Sequence, residues 1–155
     1  MTESVFDRIC KLLDGKDIAY NVLRHAPVFT SEEAAAVRGT PLASGAKALI
    51  CKCDDRFALI VLPADRKLAS KLARKALGGK SLRFATKEEV LELTGLTPGS
   101  IPPFGGLFGL STYCDLGLAA QPQINFNAGD HSISVSMTCE AYLAAEGPTL
   151  GSLAE

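Results

Sequence analysis

Residues 47–63 read KALICKCDDRFALIVLP, and this stretch decides the fold. Two apolar runs rich in β-forming residues, KALICKC and RFALIVLP, are separated by the acidic pair DD. Such runs joined by a polar turn are typical of a β-hairpin, and runs this continuous occur in strands that are covered on both faces. The stretch therefore predicts a hairpin at the centre of a sheet.

The flanking segments predict further helices and strands. Apolar periodicity with capping residues predicts helices at residues 4–13, 30–39, 66–77, 86–95 and 138–147. The predicted helix caps are Ser4 or Thr2, Thr30 or Ser31, and Thr86. Strand-like patterns cover residues 19–25, 81–85, 112–118, 123–129 and 132–137. Because the order is not a strict β-α-β alternation, we predict an α/β fold with a mixed sheet packed against helices, as one domain over residues 1–155.

Composition excludes several classes of protein. The chain has 155 residues, a net charge of −1 and a hydrophobic fraction of 47%, which are ordinary values for a globular domain. No apolar run approaches the roughly 18 residues of a membrane span, and the N-terminus lacks the apolar core of a signal peptide. Five irregularly spaced cysteines do not form a disulfide framework. We therefore expect a soluble, cytoplasmic protein that is a monomer and binds no membrane.

An unusual loop, GLTPGSIPPFGG, occupies residues 95–106 and contains four glycines and three prolines. Two consecutive prolines lack both backbone N–H donors, so they fit neither a helix interior nor a central strand. The loop is also apolar, since it contains Leu96, Ile101 and Phe104. A loop that is both rigid and apolar is expected to present a fixed surface to a ligand. Its side chains Leu96, Ile101 and Phe104 are expected to pack the loop against the sheet.

Familiar catalytic and metal-binding motifs do not fit. GTPLASGAK at residues 39–47 lacks the Gly-Lys-Ser/Thr ending of a phosphate-binding loop, and GGLFG does not follow a strand as a dinucleotide motif would. Cys51 and Cys53 are spaced too closely for a usual zinc knuckle, so we interpret them as buried thiols. Nothing ties either histidine to a cysteine. The sequence therefore indicates neither a protein nucleophile nor a metal or cofactor site.

Three polar features have both a structural and a functional interpretation. Lys47 opens an apolar strand, where it is either a solvated strand end or a cation directed into a cleft. INFNAG at residues 124–129 is either a strand with an ordinary turn or part of a site. Seven basic residues and no acidic ones fall within residues 66–83. That run is either a solvated helix face or a landing site for a phosphate backbone.

Three motifs in register carry a family resemblance. RGTPLASGAKALICK at residues 38–52, ELTGLTPGSIPPFGG at 92–106 and INFNAG at 124–129 resemble the YbaK/ProX family of aminoacyl-tRNA deacylases, which are free-standing relatives of the prolyl-tRNA synthetase editing domain. The resemblance runs from about residue 18 to residue 145 and is nearest to the YeaK branch, whose substrates are small or hydroxylated residues. It implies a partly barrel-like sheet.

The resemblance also implies roles for individual residues. Lys47 matches the family's strand lysine, which contacts the terminal adenosine or its phosphate. Gly105 matches the glycine-proline loop, whose backbone amides would stabilise an oxyanion without reorganisation. The further candidates for substrate binding are Pro102, Pro103, Phe104, Asn127, Thr30 and His131. His131 has an equally good interpretation as a surface turn residue. The candidates for tRNA binding are Lys67, Lys71, Arg74 and Lys75, which the predicted helix places on one face.

The reaction implied by the resemblance is hydrolysis of the ester between an amino acid and the terminal ribose of a mischarged tRNA. Water attacks the activated ester, a vicinal ribose hydroxyl assists, and pocket size rejects bulky side chains. The expected partners are the tRNA acceptor end and, as a further candidate, an aminoacyl-tRNA synthetase. A non-catalytic tRNA- or nucleotide-binding regulator and an esterase acting on small metabolite esters remain as alternatives.

Overall fold

Two β-sheets and six helices make up residues 3–155, the part of the chain that the computed structural model describes. The helices are α1 Val5–Gly15, α2 Ser31–Arg38, α3 Ser70–Leu77, α4 Lys87–Thr94, α5 Leu116–Ala119 and α6 Cys139–Glu146. The strands are β1 Asn21–Arg24, β2 Ala46–Cys53, β3 Arg56–Pro63, β4 Leu82–Phe84, β5 Ser111–Asp115, β6 Gln123–Asn127, β7 Ile133–Thr138 and β8 Thr149–Gly151. Short 3-10 helices cover Leu42–Ser44 and Gly105–Phe108.

The predicted central hairpin is confirmed. Strands β2 and β3 pair antiparallel from Ala46 opposite Pro63 to Cys53 opposite Arg56, and they lie inside a sheet of order β4-β2-β3-β5-β8. That sheet is mixed, as predicted, because β5 runs parallel to both β3 and β8. A second, antiparallel sheet has the order β1-β7-β6.

The two sheets come together at the start of β2. Gly45 forms an isolated parallel bridge with Asn125 of β6, which belongs to the second sheet. Strand β4 pairs with β2 only at residues 51–53, so within the described chain the edge of β2 over residues 46–50 has no strand partner on that side. An unpaired edge leaves room beside the strand, and the candidate site lies there.

Each face of β2 contributes to a different apolar cluster. Ala46, Ala48 and Ile50 face the main core, which also receives side chains from the second sheet, α1 and α6. Cys51 and Cys53 belong to a smaller cluster under α3, which confirms their interpretation as buried thiols. This division follows from the two-residue repeat of a strand.

The helix ends are set by the predicted residues. Ser4, Thr30 and Thr86 each accept a hydrogen bond from the backbone N–H three residues later and complete a capping box. The alternative cap Thr2 lies outside the described residues. No helix among residues 3–155 combines the length and the apolar character that crossing a membrane requires.

Two predicted boundaries were wrong, and one strand was missed. Helix α3 begins at Ser70 rather than residue 66, because residues 67–69 bond to residues 153–155 in an extended conformation. The strand predicted over 112–118 ends at Asp115, whose carboxylate accepts from the Gly117 N–H and so begins α5. Strand β8 was not predicted. The same carboxylate anchors the segment that follows β8, since it also accepts from the N–H groups of residues 153 and 154.

Candidate active site

A pocket of about 240 Å³ lies along the unpaired edge of β2, between that strand, α2 and the loop before the consecutive prolines. Its floor is built largely of small and apolar residues. Three residues that the sequence analysis singled out, Lys47, Asn127 and Thr30, line it together. The others are Phe29, Ser31, Ala34, Ala35, Arg38, Thr40, Pro41, Leu42, Gly45, Ala46, Ala48, Leu49, Ala64, Gly99 and Ile101.

Lys47 carries a half-buried ammonium group at this pocket. Its Nζ donates a hydrogen bond to the backbone carbonyl of Arg66. Burial lowers the pKa of Lys47, while the charges of Asp65 and Glu32 act in the opposite direction. The two ion pairs found within residues 3–155 involve other side chains. The Lys47 ammonium is therefore held in place by a neutral group and keeps donor capacity for a ligand.

A chain of hydrogen bonds connects α2 to the proline-containing loop. Arg38 donates from Nε to Ser134 Oγ and from Nη2 to Asn127 Oδ1, both over 2.8 Å. Asn127 in turn donates from Nδ2 to the Gly99 carbonyl over 2.7 Å. Because guanidinium only donates and a carbonyl only accepts, the orientation of the Asn127 amide is fixed. This chain holds the Gly99 turn against the pocket.

Gly99 is the glycine of the loop that reaches the pocket. Its φ is +91°, a conformation that residues with a side chain rarely adopt. A Cβ at this position would lie 3.3 Å from His131 Cε1. Within residues 3–155, no hydrogen bond uses the Gly99 N–H. The loop thus presents an unoccupied backbone donor at a turn where only glycine fits without strain.

His131 lies outside the pocket and contacts the segments that border it. Its Nδ1 donates to the Val28 carbonyl over 3.1 Å, and its Nε2 lies 3.1 Å from the Thr97 hydroxyl, within hydrogen-bonding distance. The ring packs against Phe29 with a centroid separation of 4.9 Å. His131 lines a shallow neighbouring groove rather than the pocket. Both nitrogens are occupied by the protein, so the predicted direct contact of His131 with substrate is not supported by its position.

The rest of the loop is part of the core. Pro102, Pro103 and Phe104 are buried and do not line the pocket, in contrast to the predicted contact with substrate. The Phe104 ring meets Tyr142 edge-on at a centroid distance of 5.3 Å, and the Tyr142 hydroxyl donates to the Pro103 carbonyl over 2.7 Å. Ile101 is buried as well, so the predicted packing of the loop against the sheet is confirmed for Ile101 and Phe104.

The structure corrects the oxyanion role predicted for Gly105. This residue is buried, and its N–H donates to Thr112 Oγ1 over 3.0 Å. The Thr112 hydroxyl donates onward to Glu146 Oε2 over 2.5 Å. The Gly105 amide is therefore already used inside the protein. The loop does reach the pocket, but it does so at Gly99 and not at Gly105.

We expect Gly105→Ala to destabilise the fold instead of acting on the ester. A Cβ at Gly105 would lie 2.4 Å from Thr112 Oγ1 and 3.0 Å from the Leu110 carbonyl oxygen, so the backbone must shift. Overpacking of this kind costs about 1–3 kcal/mol, which thermal unfolding detects as a fall in Tm. Gly106→Ala is the matched control, because its Cβ would lie 3.4 Å from the nearest neighbouring atom, Glu146 Oε1. Equal Tm values for the two variants would contradict this explanation.

No cysteine is among the described residues that line the pocket. Cys51, Cys53, Cys114 and Cys139 are buried. Burial raises the pKa of Cys51 and of Cys114 to about 12, which keeps both as neutral thiols at physiological pH. Among residues 3–155 there is no cluster of three or more His, Cys, Asp or Glu side chains placed to hold a metal ion.

The basic segment divides into two parts. Lys67 precedes α3, so it does not share a helical face with Lys71, Arg74 and Lys75 as predicted. It lies next to the Arg66 carbonyl that binds Lys47. On α3 itself, Lys71 and Lys75 are exposed, whereas Arg74 is half-buried and donates to the Lys80 carbonyl. The basic residues therefore lead from the pocket edge onto an exposed helix.

Sequence reasoning missed Arg38, Gly99 and Phe29. The one local signal for Arg38 is that a basic residue ends a helix otherwise rich in alanine, which is also a common helix ending. Gly99 was within the quoted loop but was not separated from its neighbouring glycines. Phe29 is 73% exposed at the pocket rim, and a lone aromatic residue before a helix cap gives no sign of that exposure.

Comparison with known proteins agrees with the resemblance. A family model described as the aminoacyl-tRNA editing domain matches residues 25–145. The multifunctional Ser/Thr-tRNA deacylase ProXp-y of Escherichia coli K12 is 34% identical over 154 residues, covering 92% of this chain and 89% of that protein. The proline–tRNA ligase of Bacillus subtilis 168 is 30% identical over 110 residues, 69% of this chain and 20% of the ligase.

Solved structures give the same result for the fold. A crystal structure of a candidate trans-editing enzyme for prolyl-tRNA synthetase superposes with a TM-score of 0.87 and 27% identity, covering 100% of this chain and 99% of that one. The predicted fold class is confirmed by this match and by the mixed sheet described above.

Proposed function

This chain belongs to the aminoacyl-tRNA editing domain family, and we propose that it is a trans-editing hydrolase that deacylates mischarged tRNA. The observation that carries the proposal is the pocket on the β2 edge, which is lined by the Lys47 cation, by the fixed amide of Asn127 and by Gly99, whose N–H makes no hydrogen bond within residues 3–155. These groups can bind and polarise an ester, and neither a cysteine nor a histidine lines the pocket in the described part of the chain.

Pocket size supports a small amino acid as the group removed. At about 240 Å³ the space is smaller than the roughly 300–1,000 Å³ of sites that hold drug-sized ligands. Its uncharged lining of small residues suits an aminoacyl group, while the wall that carries Lys47 faces the acceptor end and the adenine ring lies outside against the exposed Phe29 ring. The relative from Escherichia coli is a Ser/Thr-tRNA deacylase. We therefore propose alanine, serine or threonine as the substrate residue, selected because bulky side chains clash with the floor.

The proposed reaction is direct hydrolysis. The oxygen of water attacks the ester carbonyl carbon, the bond from that carbon to the ribose oxygen breaks, and the proton released by water passes to the ribose oxygen. The Gly99 N–H is the proposed donor to the oxyanion, in place of Gly105. Lys47 orients the acceptor end, and Asn127 holds the Gly99 turn in position. Positioning and a preorganised donor supply the catalysis.

A panel of mischarged tRNAs tests the function. Alanyl-, seryl-, threonyl- and cysteinyl-tRNA are incubated with the protein, and release of the amino acid is measured. We expect turnover of at least one of the first three. Binding of tRNA with no turnover of any of them would favour the non-catalytic regulator, and hydrolysis of p-nitrophenyl acetate with no effect on tRNA would favour the esterase.

The relation to the synthetase editing domain supports a role in trans. The match to proline–tRNA ligases covers only a fifth or less of those proteins. We propose that this chain acts on tRNA charged by a synthetase and that a synthetase is its partner.

The tRNA backbone is proposed to run from Lys67 onto the exposed face of α3. We expect the double variant Lys71→Glu, Lys75→Glu to bind tRNA more weakly and to lower the slope of log K against log salt by up to about two units, one for each lost phosphate contact. Filter binding over a salt series measures this. Lys87→Glu, an exposed change on α4, is the charge control. A slope that does not change in the double variant would make this face an ordinary solvated surface.

A further inference from the structure

Arg38 is a partly buried cation that has no acidic partner within residues 3–155. Its two hydrogen-bond partners, Ser134 Oγ and Asn127 Oδ1, are both neutral. Burial lowers the pKa of Arg38 to about 10, so the side chain still carries its charge at neutral pH. Holding a charge away from water is costly unless an opposite charge comes near. A ligand anion would supply that charge.

The third nitrogen of Arg38 is directed at the pocket wall. Among residues 3–155 no hydrogen bond uses Nη1. It lies 3.9 Å from the position that a Cβ on Gly45 would take. Gly45 and Lys47 are two residues apart on an extended chain, so their Cα–Cβ directions share one face. Both Arg38 and Lys47 line the pocket. Two cations therefore border the same pocket.

The positive charges of Arg38 and Lys47 determine which part of the substrate can bind beside them. The amino group of an aminoacyl ester is positive, so two cations repel it. The phosphate groups are the negative groups of the acceptor end, and a guanidinium with a free nitrogen donates to phosphate oxygens. We propose that Arg38 binds, together with Lys47, the phosphate that joins the terminal adenosine to the preceding nucleotide. This rests on the proposed function and gives Arg38 a substrate-binding role.

Calorimetric titration with AMP and adenosine tests the proposal without turnover, because the two ligands differ only in the 5′-phosphate. We expect the unmodified protein to bind AMP at least about tenfold more tightly than adenosine. In Arg38→Gln, affinity for AMP should fall about tenfold while affinity for adenosine stays within twofold. Arg83→Gln, which removes an arginine paired with Glu89 on the surface, is the charge control and should leave both affinities unchanged.

A double-mutant cycle decides whether the two cations share one phosphate. For a shared phosphate, the losses in AMP affinity caused by Arg38→Gln and Lys47→Met are not additive. Arg38→Lys keeps the charge and should retain most of the preference for AMP. Should Arg38→Gln not fold, the arginine side-chain N–H signals of the unmodified protein provide the second measurement, and AMP, unlike adenosine, should shift one of them.

Two results would overturn the proposal. One is an unmodified protein that binds AMP and adenosine equally well. The other is an Arg38→Gln variant that folds and keeps the full preference for AMP. Either result leaves the proposed deacylase activity to be judged by the tRNA panel. Conversely, a preference for AMP that depends on Arg38 would stand even if no mischarged tRNA is hydrolysed.

Discussion

Replacing Lys47 with alanine is expected to lower kcat/KM for deacylation by about a hundredfold or more while the protein stays folded. The ammonium is half-buried at the pocket, and among the described residues its one hydrogen-bond partner is the Arg66 carbonyl. The substitution therefore deprives the substrate of a charged hydrogen-bond donor but removes little packing from the core. Loss of a contact that positions the substrate can lower the rate by about a hundredfold. Single-turnover deacylation and thermal unfolding measure the two quantities.

Lys52→Ala is the matched control for Lys47. Lys52 is on the same strand five residues later, so it faces the opposite side, and its ammonium lies over the Phe57 ring, with 5.5 Å to the centroid. It does not line the pocket. We expect turnover within about twofold of the unmodified protein. A folded Lys47→Ala variant with comparable turnover would remove Lys47 from the site.

Gly99→Ala is expected to reduce kcat by about a hundredfold and to cost roughly 1–2 kcal/mol of stability. The stability loss arises because a φ of +91° is unfavourable for a residue with a Cβ. The activity loss is expected because the strained φ, together with a Cβ placed 3.3 Å from His131 Cε1, favours another backbone conformation of the turn and so reorients its N–H. Displacement of a positioning group by about 1 Å can cost a hundredfold in rate.

Gly109→Ala separates strain from catalysis. Gly109 also has a positive φ, +72°, but a Cβ there would meet nothing within 4 Å, and the residue is outside the pocket. Both variants should lose similar stability in denaturant unfolding, and only Gly99→Ala should lose activity. If both variants keep their activity, the Gly99 turn is not part of the catalytic apparatus.

Much of the fold was predictable because its signals are local. The hairpin over residues 47–63 follows from two apolar runs and a polar turn, and three helix starts follow from capping residues that act within four positions. The errors occurred where distant segments compete with local preference. Residues 67–69 have a helical pattern, but hydrogen bonds to residues 153–155 keep them extended.

The sequence by itself determined the family, most of the strands and helices, and the choice of Lys47 and Asn127 as candidate site residues, both of which line the pocket. Those properties can be predicted from short motifs and from the spacing of apolar residues along the chain. The tertiary structure alone decided which polar groups meet. Arg38 lies 89 residues before Asn127, and Asn127 lies 28 residues after Gly99, yet one chain of hydrogen bonds joins them. Contacts made across such distances depend on how the two sheets pack, and no local pattern records that packing. For the same reason the structure, and not the sequence, separated Gly99 at the pocket from Gly105 in the core.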